Sequence, residues 1–327
     1  TPGYMSADFH VHSIASTDSS YNQDSRVLSA AAESLDVLQS SDHDYITDYA
    51  PYAAKLMETG IIPQGSIQTS AGDEITPNHY GHMHAFPLEH HPDDPEGGAI
   101  DWSSSPLDEV SPAPDYVMTI DEVIEKMRKD PGEEVIQVNH IMDNPTGLLL
   151  ATGWVASPFY AKDFGVEPLS SYADPVERRM QSNGVRANFP LPFGTSPLVT
   201  KNFDAIELTI GADMHDEGIF FRSALPSWFN LLNLGLIWTA TADSDTHFGG
   251  IPTPIGIPRN YIASSVDPRD GNGGSHAEID LEEYAHSINT HRLTVSAGPI
   301  VFMHAKSDDG TAGEIGETVT GNHVTLT

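Results

Sequence analysis

The sequence predicts an α/β fold in which helical crossovers join parallel strands, most simply a (β/α) barrel. Strand-like and helix-like segments alternate along the chain. The 327 residues are enough for one large barrel domain or for two smaller domains. Polar residues that could bind metal directly follow several predicted strands, and the C-terminal strand ends form the catalytic face of a barrel. We therefore expect one active site at that face.

The alternation comes from periodicity and from capping signals. Strands are predicted over residues 5–12, 36–39, 66–75, 135–139, 203–210 and 236–242. Helices are predicted over 24–34, 46–59, 119–129, 223–234 and 278–291, where apolar residues recur at helical spacing. Thr119 and Glu122 form a capping box at the start of the third helix.

Two long segments, 76–118 and 143–200, carry few helix or strand signals and are rich in Pro and Gly. Loops of this length usually serve function, so we expect both to cover the active site and shape the substrate pocket. The domains are predicted as a barrel over 1–295 and a short β-rich segment over 296–327, consistent with the start of a β-sandwich. Because the chain opens like the interior of a longer protein and stops in mid-strand, we expect it to be trimmed or processed.

The composition is strongly acidic, with 15 Lys and Arg against 47 Asp and Glu and a formal charge of −32. This charge repels phosphate backbones, so nucleic acid is not expected as a partner. Surface acidity for solubility and a specific cationic partner both remain open explanations. The chain has no Cys, which excludes disulfides, Cys-zinc sites and thiol nucleophiles.

No apolar run reaches the length of a membrane span, so no membrane association is expected. No signal peptide is visible, and a periplasmic or secreted location is favoured over a cytoplasmic one. Neither a Gly-x-Ser-x-Gly elbow nor a phosphate-binding Gly-rich loop is present. A serine hydrolase and a P-loop enzyme are therefore not supported.

Three short stretches place metal-ligand residues at strand spacing. They are Asp8-Phe9-His10-Val11-His12, Ser41-Asp42-His43-Asp44 and Asp243-Ser244-Asp245-Thr246-His247. Residues two apart in a strand point to the same side, so Phe9 and Val11 are expected to face the packed side. Imidazoles and carboxylates that converge at strand ends bind divalent metal in proteins. The pattern predicts metal-assisted chemistry.

These stretches resemble the ordered motifs of the polymerase-and-histidinol-phosphatase (PHP) family of metal-dependent hydrolases. The resemblance covers residues 5–263 and includes Gly72-Asp73-Glu74-Ile75-Thr76, Gly81-His82 and Asn139-His140. Two further stretches, 81–86 and 256–261, are similar to its carbaryl-hydrolase-like branch. The resemblance implies a distorted (β/α)7 TIM-like barrel, the PHP fold, with long active-site loops and a trinuclear metal site.

The same resemblance implies a ligand set. It assigns the first metal to His10, His12, Glu74 and Asp245, the second to Glu74, His82 and His140, and the third to Asp18, His43 and His247. The family often has His at the position of Asp18. Because the ligands are nitrogen and oxygen without sulfur, we expect two or three divalent ions of Zn, Mn or Fe rather than Mg or Ca.

Several assignments stay open from the sequence. His84 lies on the same strand face as His82 and could replace it as a ligand. Asp8 and Asp42 are expected to orient ligand histidines rather than bind metal. Glu207 is either a core-edge acid satisfied by backbone amides or a partner of a ligand. Arg259 is either an anion clamp at the catalytic site or an ion-paired surface residue.

The predicted function is hydrolysis by a hydroxide that bridges two metal ions, with Glu74, Asp245 and Arg259 as catalytic residues. The family resemblance favours phosphoesters of a small-molecule substrate. The scarcity of basic residues and the branch resemblance favour a carboxylic ester or carbamate as the alternative. A non-catalytic metal-binding scaffold is the second alternative. The oligomeric state stays open.

Overall fold

The computed structural model describes residues 3–77, 80–102, 118–129, 132–143, 146–151, 200–215, 220–233, 235–249, 253–266 and 278–327. Within these residues, the strands form two sheets of five strands and one of three. Of the long segments expected to cover the site, residues 103–117 and 152–199 lie outside the described part.

The first sheet contains the N-terminal strand at its centre. Its order is β10 (Leu293–Ser296), β9 (Arg259–Ala263), β1 (Tyr4–Asp8), β2 (Val37–Gln39) and β3 (Gln68–Ser70). β1, β2 and β3 run parallel. β9 runs antiparallel to both β1 and β10. The sheet therefore joins the first three strands of the chain to two late ones.

The second sheet is assembled from the middle of the chain. Its order is β4 (Asp73–Ile75), β5 (Met83–Phe86), β6 (Val135–Val138), β7 (Ala205–Ile210) and β8 (Thr239–Asp243). β6, β7 and β8 run parallel, whereas β5 is antiparallel to both of its neighbours. The predicted single strand over 66–75 is wrong, because β3 and β4 belong to different sheets.

The remaining elements are a small third sheet, six α-helices and three short 3₁₀- or π-helical segments in the described residues. The sheet consists of β11 (Ala305–Ser307), β12 (Ala312–Gly313) and β13 (Val324–Leu326). The helices are α1 (Gln23–Ala32), α2 (Ala50–Glu58), α3 (Ile120–Met127), α4 (Leu148–Ala151), α5 (Leu225–Asn233) and α6 (Leu281–Asn289). The predicted domain boundary near residue 296 stays a prediction, although among the described strands β11–β13 pair only with one another.

The predicted (β/α)7 barrel is wrong. No closed barrel is formed by the described strands, and only five of the described α-helices reach eight residues. Four strand pairs of the two large sheets are antiparallel, whereas a (β/α) barrel is built from parallel strands. The structure is instead a mixed α/β fold of separate sheets.

Buried carboxylates link the ends of β1 and β8, two strands of different sheets that do not pair with each other. The Phe9 N–H donates to Asp243 Oδ1 at 2.8 Å, and the Ser244 N–H donates to Asp8 Oδ1 at 3.0 Å. Both carboxylates are fully buried. The end of the central strand β1 is thus held to the end of the edge strand β8 by side-chain acceptors, which strand periodicity does not predict.

The helix caps follow from the sequence. At α3 the Thr119 hydroxyl accepts from the Glu122 N–H, and the Glu122 carboxylate accepts from the Thr119 N–H, which confirms the predicted capping box. The Asn22 side chain accepts from the Ser25 N–H at the start of α1. Asp280 caps α6 in the same way. Each cap satisfies a backbone donor that the helix leaves unpaired.

The core confirms the expected direction of the apolar residues near the first motif. Phe9 and Val11 are fully buried. Phe9 packs against Phe86 with ring centroids 5.0 Å apart and belongs to the cluster beneath α6. Val11 belongs to a second cluster between α1 and α2. Because alternate residues enter the core, His10 and His12 point the other way.

Arg26 of α1 is a buried cation that braces the ends of two motifs. Its Nε donates to the His12 carbonyl at 2.9 Å, and its Nη2 donates to the Thr246 carbonyl at 3.2 Å. The guanidinium lies over the Tyr21 ring, 4.5 Å from the centroid. No sequence motif marks Arg26, because its two shortest hydrogen bonds go to backbone carbonyls rather than to side chains.

Replacing Arg26 with methionine is expected to lower the free energy of unfolding by about 2–4 kcal/mol, because two buried carbonyls lose their charged donor. Denaturant unfolding measures this change. Lys55→Met is the control, since Lys55 forms an exposed pair with Asp24 and should cost less than about 1 kcal/mol. Equal destabilisation by the two variants would contradict the bracing role.

Candidate metal centre

The candidate site lies where the two large sheets meet. Isolated parallel bridges link Val11 to Thr246 and His43 to Glu74 across the junction. The strands deliver nine predicted ligands to this place: His10, His12, Asp18, His43, Glu74, His82, His140, Asp245 and His247. Residues separated by up to about 240 positions in the chain therefore become neighbours through the sheet junction.

Glu74 of β4 is the centre of the cluster. Five histidines have a ring nitrogen close to its carboxylate, at 3.2 Å for His10, 3.4 Å for His12, 2.8 Å for His43, 3.3 Å for His82 and 3.5 Å for His140. Both carboxylate oxygens take part, and the side chain is fully buried. A carboxylate in this position can contact more than one cation.

Asp245 completes a four-residue set with Glu74 and the first two histidines. Its Oδ1 lies 3.3 Å from His10 Nε2 and 3.2 Å from His12 Nε2. An ion with four tetrahedral ligands at about 2.0–2.2 Å separates the ligand atoms by about 3.3–3.6 Å. The spacing of the set agrees with such an ion.

Asp18 forms a triangle with two histidines at the outer side of the cluster. Its Oδ2 lies 3.4 Å from His43 Nε2 and 3.2 Å from His247 Nε2. The two ring nitrogens lie 3.5 Å apart. About half of the Asp18 side chain is exposed, so this corner is the one that opens to solvent.

Several nitrogen and oxygen atoms of the cluster could bind a cation but do not form hydrogen bonds with one another. Five buried atoms of the cluster have no partner in hydrogen-bonding geometry among the described residues: His10 Nε2, His12 Nε2, His43 Nδ1, Glu74 Oε2 and His82 Nδ1. Four overlapping groups of three residues could each hold an ion. Buried polar atoms that lack partners are costly, and divalent cations would satisfy all five.

Hydrogen bonds behind the cluster orient His12. The Ser16 hydroxyl donates to Asp42 Oδ1 at 2.8 Å, so it can only accept from His12 Nδ1, 2.9 Å away. This fixes the proton on Nδ1 and leaves the Nε2 lone pair for the cluster. Asp42 also accepts from the Ser13 hydroxyl at 2.7 Å. The sequence predicts an orienting role for Asp42. Ser16 lies in no recognisable motif and is not predicted.

Two of the predicted ligands have unusual backbone conformations. Asp245 has a φ of 49° and His140 a φ of 27°, both in the left-handed region. Such conformations are sparsely populated for residues other than Gly and often occur at functional sites. Gly81, with a φ of 91°, lies where a Cβ would meet the backbone of Thr146 and Leu148, and it places His82 at the cluster edge.

The remaining candidates lie away from the cluster. The structure places His82 rather than His84 against Glu74, because His84 Nε2 contacts the Ser40 carbonyl at 3.0 Å. Asp243 accepts from the Phe9 N–H and from Asn260. The guanidinium of Arg259 contacts the Gly256 carbonyl and Glu33 and is not brought to the cluster.

The charges within the cluster shift the pKa values of its members. Burial alone would lower the pKa of His43, but Glu74 and Asp18 outweigh burial and raise it to about 10. Burial likewise opposes the effect of Glu74 on His140, whose pKa is raised to about 9. The hydrogen bond from His43 lowers the pKa of Asp18 to about 2. The metal-free cluster thus holds protons that a cation would displace.

We expect the metal-free protein to lose stability as the pH rises from about 7 to 10. The pKa values of His43 and His140 in the folded chain, about 10 and about 9, exceed the ordinary value of 6.5. Their stabilisation is therefore fully present below pH 6.5 and disappears as the pH passes 9–10. Thermal unfolding in chelator across this range measures the effect. His43→Gln should flatten the profile, and an unchanged profile would contradict the assignment.

A cavity of about 540 Å³ opens over the cluster. Its walls include the predicted ligands Asp18, His43 and His82, together with Asp44, Thr76 and Glu96. No Lys or Arg is among the described residues of its lining. Asp44 is held in place by the Trp102 indole N–H at 2.8 Å. The entrance to the cluster is therefore acidic in the described part of the chain.

No protein-family model matches the sequence, and no curated protein matches it either. Solved structures give distant likenesses. PsfC from Pseudomonas syringae PB-5123 has 15% identity and a TM-score of 0.44, covering 90% of this chain and 92% of PsfC. An Endonuclease Q complex with a 27-mer duplex substrate has 14% identity and a TM-score of 0.41, covering 87% of this chain. PfuEndoQ, a lesion-specific endonuclease from Pyrococcus furiosus, has 13% identity, a TM-score of 0.38 and 88% coverage of this chain.

The chain spans 56% of the length of each of the two endonucleases. One of them is solved with a 27-mer duplex substrate. The exclusion of nucleic acid from net charge alone is wrong for a physical reason. Net charge sums over the whole chain, whereas a phosphate meets the local field, and bound cations invert the sign of that field. No described helix is both long and apolar enough to span a bilayer.

Proposed function

We propose that this chain is a PHP-type metal-dependent hydrolase that cleaves phosphoester bonds. The observation that supports the proposal is the convergence of five histidines on one buried carboxylate, Glu74. Asp245, Asp18 and His247 lie against histidines of the same cluster. The five buried donor atoms without partners and the four groups able to hold an ion point to cations as the occupants. Clusters of this composition perform hydrolysis in proteins.

Two or three bound divalent ions would supply Lewis acidity and an activated water. The residues of the chain bind the ions, orient the ligands and shape the entrance. Glu74 offers one oxygen to the His10 side and the other to the His12 and His43 side. Ser16 and Asp42 hold the ring of His12 in one tautomer. Asp18, half exposed, marks the side from which a substrate would enter through the cavity.

The acidic cavity favours a second candidate, the hydrolysis of uncharged carboxylic esters or carbamates. Asp44 and Glu96 lie on the cavity wall, and no Lys or Arg is among its described lining residues. An anionic phosphoester must approach these carboxylates, whereas a carbamate carbonyl carries no charge to be repelled. The resemblance to the carbaryl-hydrolase-like branch agrees with this alternative. Arg259 contacts Glu33 and offers no described support for anion binding.

A non-catalytic metal-binding scaffold is the third candidate. Decay of an enzyme usually removes ligands, but all nine positions here carry residues able to bind metal. Metal content distinguishes a scaffold from an enzyme only in combination with turnover. A protein that binds metal and hydrolyses no substrate would favour the scaffold.

The deciding experiment is an assay of the metal-loaded protein on an aryl phosphate, a phosphodiester, a DNA duplex and an aryl carbamate. The proposal predicts turnover of at least one phosphoester and none after chelation. Cleavage of the carbamate alone would replace the proposal with the second candidate. The DNA duplex is included because net charge does not exclude it.

A further inference from the structure

Glu207 of β7 lies directly behind two predicted ligands and is fully buried. Its Oε1 lies 3.0 Å from His10 Nδ1, on the side of the ring that faces away from the cluster. Its Oε2 accepts from the His140 backbone N–H at 2.6 Å. A single carboxylate therefore contacts the ring of one ligand and the main chain of another.

We propose that Glu207 is a positioning residue that fixes the tautomer of His10 and the backbone of His140 for metal binding. The inference rests on the proposed function only in that the cluster binds metal. Of the two roles that the sequence leaves open for Glu207, the proposal selects that of a partner of a metal ligand.

The direction of the two hydrogen bonds to Glu207 determines which nitrogen of His10 carries the proton. A backbone N–H can only donate, so Glu207 Oε2 is committed as an acceptor from His140. The ionised carboxylate also accepts through Oε1, which requires the proton of His10 to be on Nδ1. Nε2 of His10 then presents its lone pair toward Glu74 and Asp245, 3.2 and 3.3 Å away. A metal ligand needs that lone pair.

The hydrogen bond from the His140 N–H holds the backbone conformation of His140, whereas the contact with His10 selects a ring tautomer. His140 has a φ of 27°, a conformation that surrounding contacts must hold in place. Its N–H points to Glu207 on the neighbouring strand, and its Nε2 lies 3.5 Å from Glu74 Oε1. The carboxylate of Glu207 thus links β7 to the residue that follows β6 and to the residues that follow β1.

Glu207→Gln tests the inference because it keeps size and packing while replacing one acceptor with a donor. If the amide oxygen accepts from His140, the amide NH₂ faces His10 Nδ1 and favours the tautomer protonated at Nε2. If the amide turns over, the His140 N–H loses its acceptor. Either arrangement disturbs one of the two ligands.

The expected result is a 10–100-fold weaker affinity for Zn²⁺, measured by chelator competition at constant pH, in line with about that loss when partners behind metal ligands are removed. Long-range ¹H–¹⁵N spectra of the zinc-loaded protein should show His10 protonated at Nδ1 in the wild type. In the variant this signal should shift or vanish. A purely structural acid would lower stability without changing the His10 spectrum.

Glu133→Gln is the matched control. Glu133 accepts from the His286 ring at 3.1 Å on an exposed surface, so the substitution removes the same kind of pair outside the cluster. Its zinc affinity should equal that of the wild type. Should Glu207→Gln fail to fold, Glu207→Asp is measured instead, and its shorter reach should give an affinity below that of the wild type.

Unchanged zinc affinity and an unchanged His10 spectrum in a folded Glu207 variant would overturn the inference. The outcome is separable from that of the proposed function. A wild-type protein that binds zinc but hydrolyses nothing contradicts the function and leaves the role of Glu207 intact. A wild-type protein that hydrolyses phosphoesters while the Glu207→Gln variant binds zinc normally contradicts only the role of Glu207.

Discussion

Replacing Glu74 with glutamine is expected to abolish most metal binding and to lower kcat/KM by at least about 100-fold, since a direct ligand should matter more than the partners behind it. The carboxylate lies within 3.5 Å of five histidines, so it belongs to the first two predicted ligand sets and also contacts His43 of the third. Glutamine has nearly the same volume but offers only one acceptor oxygen and no charge. Elemental analysis and steady-state kinetics measure the two effects.

Glu58→Gln is the control for Glu74→Gln. Glu58 is the exposed last residue of α2, so the same substitution there should leave metal content and activity unchanged. Circular dichroism of both variants establishes that they are folded. A Glu74→Gln variant with wild-type metal content would remove Glu74 from the centre of the cluster and would contradict the ligand assignment.

Chelation is expected to abolish hydrolysis and to lower the thermal midpoint by roughly 5 °C or more. Metal present at about 100 times its Kd stabilises a folded protein by about 2.7 kcal/mol. The thermal midpoint of a chain of this size rises by about 2 °C for each kcal/mol of stabilisation. The physical source is the set of five buried donor atoms that lack hydrogen-bonding partners among the described residues. Differential scanning calorimetry with and without chelator measures the shift.

Adding back Zn²⁺, Mn²⁺ or Fe²⁺ singly is the control for chelation, and it also identifies the metal. At least one ion should restore both the midpoint and the activity. If the midpoint recovers without activity, the cluster is a structural metal site and the scaffold candidate gains support. If neither the midpoint nor activity responds to chelator, the cluster does not bind metal.

The local features of the site follow from the sequence because they depend on strand spacing. Phe9 and Val11 alternate with His10 and His12, and the core takes the apolar pair. The third helix begins where the Thr119 capping box predicts. Short-range rules of this kind need only neighbours in the chain.

The sheet organisation does not follow from the same rules. β5 lies inside a segment expected to be loop, and β9 and β10 were not predicted at all. β5 and β9 each pair antiparallel with a strand that leads into the site, and β10 pairs with β9. Strands of three to five residues give little periodic signal. The alternation of longer elements therefore predicted a barrel in which all strands are parallel.

The residues that support the cluster were also hidden from the sequence. Ser16 and Arg26 act on His12 through a hydroxyl and a backbone carbonyl. Neither interaction needs a particular spacing in the chain, so no motif contains them. Arg259 was predicted as a catalytic residue from its place in the sequence. In the structure it contacts Gly256 and Glu33 outside the cluster.

Anomalous diffraction from crystals grown with Zn²⁺, Mn²⁺ or Fe²⁺ tests the central claim most directly, since it locates each ion and identifies its element. The account predicts at least two anomalous peaks, one among His10, His12, Glu74 and Asp245 and another beside Glu74, His82 and His140. Peaks that lie elsewhere, or a cluster without any peak in crystals soaked in these ions, would contradict it.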